Sequence, residues 1–90
     1  MNLFGIDEAI ERIMLMERCF DALQSADIAA IKADDSLKEQ LRLLTQYYQG
    51  GQWLHDYELD EKGLLPRGLK RGVLSQDAVF DLLDEINQVN

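Results

Sequence analysis

One histidine, His55, stands beside a dense run of carboxylates, Asp56, Glu58, Asp60 and Glu61, with the cations Arg67, Lys70 and Arg71 shortly after. A histidine with a carboxylate partner can move protons near neutral pH, and paired carboxylates can divide acid and base roles. Nucleophiles for such a base are not close in sequence: Ser36 and Ser75 occupy places where helix caps are expected, and Cys19 lies mid-helix. The alternation of Asp56, Glu58 and Asp60 imitates the start of a calcium loop. It fails where the loop needs Gly, which is Glu61 here, and where it needs a bidentate Glu, which is Arg67. The three cations lack a glycine-rich phosphate-loop pattern, so an anion site is weakly supported. Acids and bases this close are expected to form an ion-pair network that pins the stretch to a short helix. His55 is expected to be an ordinary surface or packed side chain beside Trp53, and no cofactor or metal is expected. Trp53, Tyr47, Tyr48, Tyr57 and Phe80 fit the core of a small domain, or else the anchors of an interface.

These residues belong to an unusual central stretch, 47–75, which holds the only Trp, His and Pro, all three Tyr and five of the six Gly. It reads as a non-repetitive wrap against which amphipathic helices pack. Ahead of it, Ile6, Ile10, Ile13, Phe20 and Ile31 recur at helical spacing, widened by Met14, Met16 and Leu23. Asp7 and Glu8 suit a helix N-terminus. A long helix over residues 7–32 is expected, with Ser25, Ala26 and Asp27 as a candidate break. Glu17, Gln24 and Asp27 interrupt its stripe, which marks either a seam facing another chain or a turn of that face to solvent.

Ser36 with Glu39 fits a capping box and predicts a second helix over 37–48, ended by Gly50 and Gly51. Its apolar face is Leu37, Leu41, Leu44 and Tyr48, flanked by Leu43 and Tyr47. A short third helix over 52–62 is expected to turn Trp53, Leu54 and Tyr57 inward and to close at Gly63. Pro66, Gly68 and Gly72 mark irregular chain. Ser75 predicts the last helix, stapled by Leu74 and Val79, with Val79, Leu82, Leu83 and Ile86 buried. No run alternates as a strand does. The expected fold is all-α: a single domain over residues 1–90, a small bundle of three main helices plus a short helix and the Gly- and Pro-containing wrap.

The spacing of Arg12, Ile13, Met16 and Glu17, then Tyr47, Tyr48, Gly50 and Trp53, then Asp56, Tyr57, Glu58, Asp60 and Glu61 resembles a known family. The motif continues through Gly63, Leu65, Pro66, the run from Leu69 to Ser75, Asp77, Leu82 and Leu83. The family is the small bacterial domain of unknown function 4298, and the likeness covers most of the chain. Gln76 departs from it, standing where the family pattern has an acidic residue. The resemblance implies a small helical bacterial protein and carries over no catalytic residue.

Seventeen acidic against nine basic side chains give a net charge of −8, spread over both halves of the chain. Such a field repels phosphate backbones, so nucleic acid is not an expected partner, whereas a basic protein surface is favoured. A single cysteine excludes an internal disulfide and a cysteine metal cage. The first residues lack a basic leader pattern, and no apolar run is long enough to span a bilayer, so a cytoplasmic protein that does not enter membranes is expected. The expected function is a non-catalytic protein-binding module, one form being an immunity-type inhibitor of a basic toxin. The alternatives are a small enzyme or ligand-binder using His55 with the carboxylates of residues 56–61, and a structural subunit that forms a homo-oligomer through its first helix.

Overall fold

The computed structural model describes residues 5–88; the reading of the first residues as lacking a leader lies outside them. Helix α1 spans Ile6–Ser25, with Asp7 and Glu8 in its first turn facing the positive end of the helix dipole. Ala9, Ile13, Met16, Phe20 and Leu23 follow one another at intervals of three and four and form its buried stripe. Met14, expected to widen that stripe, is instead 48% exposed. Ile13 is fully buried, and Ile6 and Ile10 are half-buried against the core.

The long helix expected over 7–32 is two helices. Ala26 is extended, and Asp27 caps α2 (Ile28–Ala33), its carboxylate accepting a hydrogen bond from the Ala30 amide at 2.8 Å. The candidate break is real because Asp27 satisfies a free helix amide better at a cap than mid-helix. Asp34 then ends α2 and caps α3 (Asp35–Gln49), accepting from the Leu37 amide at 3.0 Å. The cap predicted at Ser36 therefore falls two residues early, on an aspartate whose charge also meets the dipole. Ser36 lies in the first turn and its hydroxyl accepts from Gln40 at 3.3 Å. The buried face of α3 centres on Leu44 and Tyr47, with Leu37, Leu41, Leu43 and Tyr48 half-buried around them.

A corner of two glycines joins α3 to α4 (Gln52–Glu61). A Cβ on Gly50 would lie 2.7 Å from the Gln46 carbonyl oxygen, and Gly51 has a left-handed φ of 95°. Helix α4 turns Trp53, Asp56 and Leu59 inward at three-residue spacing. Leu54, expected inside, is 52% exposed, because Asp56 shares the inner face with Trp53. Residues 62–71 are irregular, leading to a 3-10 turn, Gly72–Leu74, and α5, Gln76–Gln88. The Ser75 carbonyl accepts from the Val79 amide at 3.1 Å, which starts α5 where expected.

Leu65, Val73 and Leu74 pass through the interior and share one cluster with buried residues of every helix. The wrap is therefore core rather than appendage, although its irregular part is shorter than the stretch 47–75. The architecture is all-α: the three main helices of the sequence reading are α1, α3 and α5, α4 is the short one, and α2 is an addition. No helix among the described residues is long and apolar enough to cross a membrane.

Cys19 is buried on α1, and that burial pushes its thiol above the ordinary value. In native protein, Cys19 should react with Ellman's reagent only as fast as the chain opens. In concentrated denaturant the same thiol should react at once, and rapid native labelling would place it at the surface.

Candidate functional site

Asp56, first among the candidate carboxylates, is fully buried. Its Oδ2 accepts from Arg12 Nε at 2.9 Å and from the Tyr47 hydroxyl at 2.7 Å, while Oδ1 accepts from the other arm of the Arg12 guanidinium. This two-pronged fit of guanidinium to carboxylate ties α1, α3 and α4 through one side chain. The hydrogen bond from Arg12 to Asp56 raises the guanidinium above its ordinary value. Burial and the bond to Asp56 push the Tyr47 phenol far up as well.

A raised phenol means that the native state holds its proton more tightly than the unfolded chain. Its contribution is whole below about pH 10 and is lost as pH climbs through the native value. Tyr47→Phe should therefore cost about 1 kcal/mol at neutral pH and flatten the fall in stability above about pH 10. Urea unfolding of both proteins across that range checks it; parallel curves would show that Tyr47 is not the linked group.

A second clasp holds the wrap. Glu17, 5% exposed, accepts at Oε1 from the Val73 amide at 2.5 Å. Trp53 Nε1 donates to the Val73 carbonyl at 2.9 Å. Both backbone groups of Val73 are thus satisfied by side chains from other elements, as a buried non-helical segment requires. Tyr48 meets the Trp53 ring edge-on with centroids 5.2 Å apart, and Tyr57 stacks on it at 5.0 Å. Glu17, read as a possible seam toward another chain, is turned inward; Gln24 faces solvent, and Asp27 is a helix cap.

The expected network between the carboxylates and the three cations forms only in part. Arg71 pairs with Asp60 and donates to the carbonyls of Pro66 at 2.6 Å and Leu69 at 3.3 Å, which pins the wrap to α4. Lys70 reaches α1 instead, donating to Asp21 at 2.5 Å. Arg67 is exposed and makes none of the ion pairs found among the described residues. Glu61 bonds to the Tyr57 hydroxyl and lifts that phenol. Glu58 is exposed, as is His55, which borders a hollow of about 560 Å³ with Glu8, Arg12 and Gln52. Asp56, the nearest candidate partner of His55 in sequence, is committed to Arg12 and Tyr47. Phe80, the remaining aromatic candidate, is 54% exposed on α5.

Sequence reasoning missed Arg12 as the partner of Asp56, and Glu17 as the partner of Val73. A signal for both acids was present. Glu17 lies four residues after Ile13, and Asp56 three after Trp53, so each falls on an apolar stripe where a charge needs a buried partner.

One surface feature was not anticipated. A cleft of about 500 Å³ opens between α1 and the wrap, walled by Ile10, Met14, Pro66 and Leu69. Glu17, Arg18, Asp21 and Lys70 contribute its charged margin.

Fold and site together define a small all-α domain whose polar residues of the middle stretch act as clasps. The model of the family described as Domain of unknown function (DUF4298) matches residues 13–90, and the chain belongs to that family. No curated protein and no solved structure matches the chain. Many residues on which the resemblance rests, among them Glu17, Tyr47, Trp53, Asp56, Arg71 and Val73, are those that make the clasps.

Proposed function

We propose that this protein is a non-catalytic, cytoplasmic protein-binding module of bacterial type that offers an acidic surface to a basic partner. The observation that carries this reading is the cleft between α1 and the wrap, where Met14 is 48% exposed beside Ile10 and Leu69. Methionine adapts to varied apolar surfaces, and an apolar cleft rimmed by charge is a common form of docking site. The net charge of −8 steers basic proteins toward it. An immunity-type inhibitor covering the basic active site of a toxin is one specific form of this role.

The test is capture from native lysate by immobilised protein, with Met14→Lys as control and retained proteins identified by mass spectrometry. A basic protein should be retained at about 50 mM salt and released at about 500 mM, where screening is nearly complete. It should not be retained by Met14→Lys. Retention of nothing, or equal retention by the variant, would overturn the reading.

A further inference from the structure

Among the described residues, Glu17 Oε2 is the one buried side-chain oxygen or nitrogen that receives no hydrogen bond. Its sister oxygen is taken by the Val73 amide. The nearest cation, Lys70 Nζ, stands 3.8 Å away, beyond hydrogen-bond distance, because Lys70 is drawn to Asp21 at 2.5 Å. Gly72 lies against this carboxylate: a Cβ there would approach Oε1 to 3.4 Å and Oε2 to 3.6 Å. Glu17 also lines the cleft whose walls are Ile10, Met14 and Leu69. An apolar slot therefore has, at its inner end, an ionisable acceptor short of one donor.

We propose that this cleft receives a lysine side chain of the protein partner, its methylenes along Ile10, Met14 and Leu69 and its ammonium donating to Glu17 Oε2. The inference rests on the protein-binding reading above and names the chemistry of its partner. A lysine stem covers apolar surface while its head seeks an acceptor, which suits a slot with one carboxylate oxygen. Its ammonium is compact and carries three donors, so it can serve Oε2 without displacing the Val73 amide from Oε1. The negative field of the whole chain favours a cation, whereas a carboxylate arriving here would meet Glu17 and Asp21. Two cations oppose an arriving ammonium. Arg18 is exposed at the cleft margin, where salt and water screen it. Lys70 forms an ion pair with Glu17 at 3.8 Å, but its charge is offset by its closer bond to Asp21.

The experiment titrates the isotope-labelled full chain with n-butylammonium, which copies a lysine side chain, and in parallel with n-butanol and butyrate. Butylammonium should shift backbone amides near residues 14–21 and 69–73 saturably. Butanol should bind about tenfold more weakly, since it lacks the charge-assisted bond, and butyrate should leave these amides unmoved. Arg18→Gln should tighten butylammonium binding, and Met14→Lys should abolish it while keeping the native spectrum. Glu17→Gln, where it folds, should weaken butylammonium to the level of butanol.

Equal shifts by butanol and butylammonium, or no shift at the cleft, would overturn the proposal. Failure of butylammonium while a partner is still retained through Met14 sinks the lysine reading alone. A bound butylammonium with no protein retained from lysate supports the slot and sinks the protein-binding role.

Discussion

Arg12→Met is expected to remove about 3–5 kcal/mol of stability, the usual cost of stripping one partner from a buried ion pair. For a 90-residue chain holding about 5–13 kcal/mol in all, that is a large share of the whole. Asp56 has no access to water, and only the Tyr47 hydroxyl would remain to donate to it. The remedy is as diagnostic as the lesion. Adding Asp56→Asn to Arg12→Met removes the uncompensated charge and should restore part of the loss, although two changes usually cost more than one. Urea unfolding of the single and double variants measures both effects. A loss under about 1 kcal/mol for Arg12→Met would mean that the pair acts as an ordinary surface bridge.

Trp53→Ala should cost a similar amount, about 3–5 kcal/mol, for a different reason. The indole is 6% exposed, lies between Tyr48 and Tyr57, and donates to the Val73 carbonyl. Its loss leaves a cavity and a buried carbonyl without a donor. Trp53→Phe separates the two contributions, since it keeps most of the packing and loses only the N–H, at about 1–3 kcal/mol. Far-UV circular dichroism in urea follows both variants. Equal stability of wild type and Trp53→Phe would show that the Val73 carbonyl does not depend on the indole.

Helices were legible from sequence where apolar spacing and punctuation agreed. Helix α5 begins after Ser75, α4 is bounded by Gly51 and Gly63, and the break near Asp27 was visible as a cluster of cap-forming residues. The corrections to the charged residues share one cause. Near neighbours in sequence were expected to satisfy one another, in a local network between residues 56–61 and 67–71. The folded chain satisfied them over long range: Asp56 found Arg12 across 44 positions, and Val73 found Glu17 across 56. Only packing decides which helix faces which, so spacing could flag a misplaced charge but not name its partner. Of the candidate residues, Asp60 and Arg71 met as expected; Arg67, Glu58 and His55 stayed at the surface. The cleft at Met14 was illegible, because a half-exposed methionine and a buried one occupy similar places on an apolar stripe.

Native-state hydrogen exchange at the Val73 amide tests most directly whether the middle of the chain clasps the helices. This amide lies outside any α-helix and donates to the Glu17 side chain of α1, while Trp53 holds the Val73 carbonyl, so its protection reports on the clasp itself. It should exchange with the same opening free energy as the Leu44 amide in the centre of α3, and with the same sensitivity to denaturant. Exchange far faster than Leu44, at a rate indifferent to mild denaturant, would show that the wrap opens alone and holds nothing together.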